Sequence, residues 1–215
     1  MKTNMTELDA AIQRLRSLHD GNLGLVETVR CGRRAIPALR TVLFEREPSG
    51  LFETRCRAVQ ALSALKAGEV LVEFLANPPC AADPVERLGD DAVINAAARA
   101  LAKCRDEITF QVLLKLSKER LLPGVVAAIG SFRRAAVIPY LVAGLAEDEC
   151  RPFAEAALGK FGARARGALT QIVDATDVNA TETSPGSQSP SRMRQRQSAL
   201  RLLVSIANSR TNQPG

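Results

Sequence analysis

The chain has almost none of the side chains on which most enzymes depend. Among its 215 residues there are one histidine, no tryptophan and one tyrosine. Because His19 is the only imidazole, neither a multi-histidine metal site nor a histidine-based relay can be assembled, and we expect His19 to be a solvated residue near a helix end. There is also no glycine-rich phosphate loop of the Walker spacing. We therefore predict a non-catalytic protein with no cofactor and no metal.

The five cysteines are odd in number and widely spaced, and no two form a Cys-x-x-Cys pair. This pattern is typical of reduced, buried cysteines and not of a disulfide framework or a zinc site. One alternative stays open at Cys56, because Arg55 and Arg57 flank it and neighbouring cations lower the pKa of a thiol. An inert, buried Cys56 is the interpretation we favour.

Long hydrophobic runs are missing as well. No apolar run follows Met1, so we expect no signal peptide, and no stretch approaches the ~18 apolar residues that a membrane span requires. The sequence therefore predicts a cytoplasmic protein that does not enter a membrane.

What the chain does contain is a helical pattern of aliphatic residues. Apolar residues make up 46% of the sequence but aromatic residues only 4%, which suits closely packed helices better than a β-sandwich. The clearest segment is 135–162, where two groups of apolar residues recur at helical spacing on either side of an acidic turn. Two short helices cannot enclose a core alone, so the segment predicts a repeated helix pair.

Five aliphatic residues occupy matching places in the second helices of successive pairs: Leu62, Leu101, Ile129, Leu158 and Leu200. Two of the intervals between them are 28 and 29 residues, and the other two are 39 and 42. The long intervals contain irregular segments at 77–89 and 174–190, so the underlying period is short. The predicted fold is all-α, a right-handed α-solenoid of about five to six antiparallel helix pairs.

Four regions follow from this pattern. We expect an N-terminal capping helix pair in residues 1–32 and repeats in 33–173 with an insertion at 77–89. Residues 174–190 are rich in Ser, Thr and Pro and should form a disordered linker. A basic C-terminal helix and tail should occupy 191–215.

Two motifs resemble a known repeat family. The segments Ala35-Ile36-Pro37-Ala38-Leu39 and Val137-Ile138-Pro139-Tyr140-Leu141 resemble the first helix of HEAT repeats, which belong with the armadillo-like folds. Arg57-Ala58-Val59-Gln60-Ala61-Leu62 and Ala98-Arg99-Ala100-Leu101 look like the second helix. The short period is closer to the HEAT-like repeats of bilin-lyase-type proteins than to the long eukaryotic form. The resemblance covers roughly residues 33–173 and implies a HEAT-like superhelix, but a fold of this kind does not supply a function.

Basic residues gather where one predicted pair ends and the next begins. These residues, called the junction cations below, are Arg33, Arg34, Lys103, Arg105, Arg133, Arg134, Arg164 and Arg166. Because neighbouring repeats of a solenoid stack side by side, we expect the junction cations to line one basic edge that binds a partner. The alternative is that they only complement the negative ends of helix dipoles.

A second basic cluster, the C-terminal arginines, consists of Arg192, Arg194, Arg196 and Arg201. Its residues belong either to a solvated capping helix or to a basic helix that docks a partner.

The predicted function is a protein–protein interaction scaffold that presents a basic edge to another protein, for which an acidic surface would be suitable. A nucleic-acid-binding HEAT-like module is the alternative, supported by the net charge of +6 but not by the small number of aromatic side chains available for base stacking. A HEAT-like lyase or other enzyme is a minor alternative.

Overall fold

A computed structural model describes residues 6–46, 51–182 and 189–211 of the chain. Within these ranges the protein is built from helices and contains no β-strand, which confirms the predicted all-α class. The α-helices are α1 (Glu7–Arg16), α2 (Gly21–Arg30), α3 (Ile36–Phe44), α4 (Glu53–Ala64), α5 (Gly68–Ala76), α6 (Pro84–Leu101), α7 (Glu107–Glu119), α8 (Pro123–Gly130), α9 (Ile138–Gly144), α10 (Arg151–Phe161), α11 (Arg166–Glu182) and α12 (Pro190–Thr211).

The chain divides into two compact units, with the boundary inside α7 between Leu113 and Leu114. In the first unit, α1 packs against α2, α3 against α4, and α5 against α6; in addition, α4 packs against both α2 and α6. In the second unit, α9 packs against α10 and α11 against α12, while α10 also packs against α8 and α12. In each unit, therefore, consecutive helices pack as pairs, and the second helix of one pair also packs against the second helix of the next pair.

The core of the first unit consists mainly of small and aliphatic side chains at helical spacing. In α4 the buried residues include Ala58, Val59 and Leu62, and in α6 they include Ile94 and Leu101. Residues one, three and four positions apart cover one side of a helix, so each of these helices buries a continuous apolar stripe. Hydrophobic burial of these stripes supplies the main driving force for packing.

A local geometry recurs where one helix ends and the next begins. A residue with positive φ follows α2, α4, α8 and α10 closely: Gly32, Lys66, Arg133 and Gly162, with φ between 52° and 68°. Short 3-10 helices at Gly32–Ala35, Ala135–Val137 and Gly162–Ala165 then lead into α3, α9 and α11. The left-handed conformation ends a helix because it redirects the chain, and the 3-10 turn starts the next helix.

Helix α4 carries a buried arginine that forms an ion pair with α6. Only 3% of Arg55 and 1% of Asp90 are exposed, and the Arg55 Nη1 lies 2.9 Å from the Asp90 Oδ1. Arg55 also donates from Nε to the carbonyl oxygen of Leu43 at 2.9 Å. The Asp90 Oδ2 accepts from Arg46 at 2.5 Å and from the backbone N–H of Ala81 at 3.2 Å. Both oxygens of this buried carboxylate thus accept hydrogen bonds, as burial of a charge requires.

Two predicted boundaries are wrong. Of the insertion at 77–89, only the part before Pro84 lies outside a helix. The Asp83 carboxylate accepts hydrogen bonds from the backbone N–H groups of Val85 and Glu86 at 2.9 and 3.0 Å, and Pro84 is suited to the first helical position. Because of this N-cap, α6 begins at Pro84, inside the predicted insertion and not after its end at residue 89.

The expected disordered linker at 174–190 is also not supported over its first half, because α11 continues to Glu182. The Thr, Asn and Asp residues of this segment are weak helix formers but not helix breakers, and the first proline after α11 begins is Pro185. The remaining residues of the predicted linker up to 188 lie outside the described residues. Helix α12 starts at Pro190 and covers most of the expected basic segment.

In the part of the chain that the structure describes, no helix is both long enough and apolar enough to cross a lipid bilayer.

Candidate functional site

The junction cations are divided equally between the two units. Arg33 and Arg34 lie in the 3-10 turn before α3, and Lys103 and Arg105 follow α6, all in the first unit. The second unit holds the other four, with Arg133 in the left-handed conformation after α8. The predicted single basic edge therefore stays a prediction.

Some junction cations have partners close by. Arg34 forms an exposed ion pair with Glu7 at 3.2 Å. Arg105 donates from Nη1 to the carbonyl oxygens of Ala102 and Cys104 at 2.7 and 2.8 Å. These are among the last carbonyls of α6 and its following turn, so Arg105 satisfies groups that a helix end leaves unpaired.

Other junction cations are exposed. Arg33, Lys103, Arg133 and Arg164 are exposed to solvent, and none of the four makes an ion pair with another described residue. The hydrogen bonds of Arg105 to carbonyl oxygens at the end of α6 account for its position, whereas these four guanidinium and ammonium groups remain accessible to a partner.

The first unit has an open groove where α4, α5, α6 and the start of α7 meet. Its volume is about 790 Å³, within the range of ~300–1,000 Å³ in which proteins bind ligands. The groove has an apolar part with Leu71, Val72, Leu101 and Ile108. Ile108 is 70% exposed, so the groove offers a large apolar contact to solvent.

Charges of both signs surround this apolar part. Lys66 and Lys103 line the groove together with Glu69 and Asp106. Lys103 was predicted from the sequence and Lys66 was not, although Lys66 has a positive φ shortly after α4, as Arg133 has after α8. The signal for Lys66 was the position directly before Ala67-Gly68, where the next helix starts. The groove is therefore not a purely basic surface.

A second depression of about 560 Å³ continues the groove along α4 and α6. The two depressions share Ser63 and Ala100, and the second adds Gln60 and Arg99. Small side chains on both helices leave this surface open. The combined groove is elongated along the two helices.

Asp106 has a structural role at the rim of the groove. Its carboxylate accepts hydrogen bonds from the backbone N–H and the hydroxyl of Thr109, both at 2.8 Å. These two hydrogen bonds, the backbone one first, hold the pKa of Asp106 below its ordinary value of 3.8. Because the carboxylate is the hydrogen-bonded form, Asp106 caps the N-terminus of α7 in its ionised state.

We expect Asp106→Ala to destabilise the protein by about 1 kcal/mol near neutral pH, because α7 loses its N-cap. A group with a lowered folded-state pKa stabilises the fold above its unfolded-state pKa and loses that contribution as pH falls through the folded-state value. The difference between the two proteins should therefore shrink below pH ~4 in urea denaturations followed by circular dichroism. Asp106→Asn is the matched control, since asparagine caps well without titrating; an equal loss in both variants would exclude the capping role.

Three of the cysteines have thiols whose pKa is raised. The pKa of Cys56 is raised because burial outweighs the effect of Arg55 and Arg57, so the reactive alternative considered for it is not supported. Burial also raises the pKa of Cys104, and it raises that of Cys150 to about 11. A thiol with a raised pKa is a poor nucleophile at neutral pH.

Among the described residues, no group of three or more His, Cys, Asp and Glu side chains is placed to hold a metal ion.

The C-terminal arginines lie on α12 in the second unit. Arg194 pairs with Asp148 at 3.1 Å, and Arg201 pairs with Glu155 at 2.9 Å. Arg192 is exposed, and Arg196 is half-buried. Two of the four residues thus hold α12 against acidic side chains of the unit to which it belongs.

No protein-family model matches this sequence, and no curated protein matches it either. The resemblance to HEAT repeats therefore stays a prediction from the residues.

Proposed function

We propose that the chain is a non-catalytic protein-interaction scaffold, built as a HEAT-like right-handed α-solenoid, and that the groove of the first unit holds a segment of a partner protein. The single observation that carries this proposal is the groove itself. It combines an exposed apolar contact, a length that follows two helices and charged groups at its rim.

Two regularities support the solenoid. In both units consecutive helices pack as pairs, and the second helices of neighbouring pairs pack against each other. This is the packing expected of stacked helix pairs. The positive-φ residue followed by a 3-10 turn also recurs in both units. A shared way of ending one helix and starting the next is what a repeated unit requires.

The shape of the groove favours a peptide chain over a compact metabolite. Ligand pockets for small molecules bury most of the ligand surface, whereas this groove is open and extends from Ile108 to Gln60. An extended segment or a short helix can lie along it and insert an apolar side chain near Ile108 and Leu71. Lys66 and Lys103 would pair with a carboxylate next to that anchor.

A nucleic acid fits this groove less well. Glu69 and Asp106 lie at the same rim as the two lysines, and their carboxylates would repel phosphates. The lining residues also include no aromatic side chain on which a base would stack.

All five cysteines are free, which supports the proposal that the protein works in a reducing compartment such as the cytoplasm.

The test begins with a displayed library of random peptides selected against the full chain. Selected peptides should share an apolar anchor next to an acidic residue. Titration of a selected peptide should show that Lys66→Glu/Lys103→Glu weakens binding by about tenfold or more, since two favourable charge contacts become repulsive. Ile108→Asp should weaken it further.

Lys118→Glu/Lys160→Glu is the matched control, because both lysines are exposed and neither lines the groove. The proposal fails when no peptide is enriched or when the groove variants bind as well as the native chain. Duplex DNA is titrated in parallel at two salt concentrations: DNA binding that weakens steeply with salt and is lost in the groove variant would assign the groove to nucleic acid instead.

A further inference from the structure

The groove of the first unit carries charges of both signs, and they differ in what they already contact. Four charged residues line it: Lys66, Glu69, Lys103 and Asp106. The carboxylate of Asp106 is engaged as the cap of α7, because it accepts hydrogen bonds from the backbone N–H and the hydroxyl of Thr109. The charges that the groove offers to a partner are therefore two lysines and one glutamate.

Glu69 makes no ion pair within the described part of the chain. The same holds for Lys66 and Lys103, and all three side chains are exposed. Each of these charges is therefore solvated until a partner covers the groove. A partner that displaces the water has to supply an opposite charge, because a charge buried without one is strongly unfavourable.

The position of Glu69 brings its charge next to the apolar part of the groove. Glu69 lies in the first turn of α5, and Val72, three residues later, also lines the groove. Residues three apart in a helix are neighbours on one side of it. A segment that packs an apolar side chain against Val72 therefore passes close to Glu69.

This inference rests on the proposed function and narrows the chemistry of the occupant. We infer that the groove selects a partner segment of mixed charge, in which a basic residue pairs with Glu69 and an acidic residue pairs with Lys66 or Lys103. Glu69 then determines specificity. It favours a mixed segment and rejects a purely acidic one, because like charges brought together in an interface are destabilising.

The competing role for Glu69 is a local one. An acidic residue in the first turn of a helix interacts favourably with the positive end of the helix dipole, and Ala67, the residue before α5, provides no side-chain cap. This role affects the stability of α5 but not the choice of partner. A measurement of binding selectivity therefore separates the two roles.

The test compares two selections from one displayed library of random peptides, against the full native chain and against the full Glu69→Lys chain. Peptides selected by the native chain should carry Arg or Lys at a fixed distance from their apolar anchor, together with an acidic residue. Peptides selected by the variant should carry Asp or Glu at the position of that basic residue. The reversal is expected because the same site now repels a cation and attracts an anion.

Titrations followed by fluorescence anisotropy complete the test. They use one native-selected peptide and its counterpart in which glutamate replaces the basic residue. Either change alone, in the peptide or in Glu69→Lys, should weaken binding about tenfold, since an attraction becomes a repulsion. Both changes together should restore most of the affinity, which a purely local role of Glu69 cannot produce.

Glu45→Lys is the matched control. Glu45 is an exposed glutamate of the first unit that lies outside the groove and makes no ion pair with another described residue. Its reversal changes the net charge by the same amount and should leave the selected peptides and their affinities unchanged. Circular dichroism checks that both variants keep the helical content of the native chain. Glu69→Gln replaces Glu69→Lys if the latter does not fold, and it should lose the preference for a basic residue.

Two results would overturn the inference and leave the proposed function standing, provided that Lys66→Glu/Lys103→Glu still weakens peptide binding. One is that the native chain and Glu69→Lys select the same peptides. The other is that the native chain selects peptides with acidic residues and no basic residue. Enrichment of no peptide at all would overturn the proposed function and the inference together, so the two failures are distinguishable.

Discussion

Replacing Asp90 with alanine should lower the free energy of unfolding by about 3–5 kcal/mol, because it leaves a buried guanidinium without its counter-charge. Arg55 is almost fully buried, and the Asp90 carboxylate is its only ionic partner among the described residues. Its Nη2 already has no hydrogen-bond partner there, so loss of the partner at Nη1 adds a second unsatisfied group. Arg46 and the backbone of Ala81 lose the same acceptor.

Urea denaturation followed by circular dichroism measures this effect, and hydrogen exchange at α4 and α6 locates it. Glu86→Gln is the control, since Glu86 pairs with Arg46 at 3.3 Å but is half exposed, and removal of an exposed pair should cost less than ~1 kcal/mol. The double variant Arg55→Met/Asp90→Leu should regain much of the lost stability, because it removes both charges together. A single variant as stable as the native chain would show that water enters the site and solvates Arg55.

Gly24→Ala should destabilise the first unit by about 1–3 kcal/mol or more, because a Cβ has no room there. An ideal Cβ on Gly24 would lie 2.2 Å from the backbone nitrogen of Leu15 and 2.5 Å from the carbonyl carbon of Arg14. Both are backbone atoms of α1, which cannot turn aside as a flexible side chain can. The two helices would have to separate, and Leu15 is fully buried at this crossing.

Gly159→Ala is the matched control. Gly159 lies within α10, and nothing stands within 4 Å of a Cβ built on it. Because alanine is the better helix former, this change should stabilise the chain by roughly 0.5–1 kcal/mol. Thermal or urea unfolding of both variants gives the comparison. Effects of opposite sign are expected; a stabilising effect at Gly24 would contradict the close packing of α1 against α2.

The helices could be predicted from the sequence because their signals are local. Apolar residues at helical spacing, with prolines near the first turn of α3 and α9, indicated where helices lie without reference to distant residues. The predicted boundaries at α6 and α11 were wrong because these boundaries depend on the cap at Asp83 and on the position of Pro185, and not on composition. A capping side chain acts over three residues, so this information was present in the sequence.

The candidate site was less predictable, since it depends on which residues of different helices come together. Lys103 was selected for its position after a helix, but its nearness to Lys66, Leu71 and Ile108 follows from the packing of α4, α5 and α6. Likewise, α12 has apolar residues on two sides, with Ala199 and Ile206 buried and Leu200 and Val204 exposed, yet nothing in the sequence tells which of the two sides is buried.

The sequence by itself determined the all-α class, the approximate places of the helices, the excess of positive charge and the scarcity of catalytic side chains. Only the tertiary structure decided that Arg55 is buried against Asp90 while its near neighbour Arg57 is less deeply buried, that burial raises the pKa of Cys56 between them, and that Ile108 stays exposed beside a groove. The physical reason is that helix formation depends on neighbours within about four residues. Burial and electrostatic pairing depend on residues far apart in the chain, such as the 35 positions between Arg55 and Asp90.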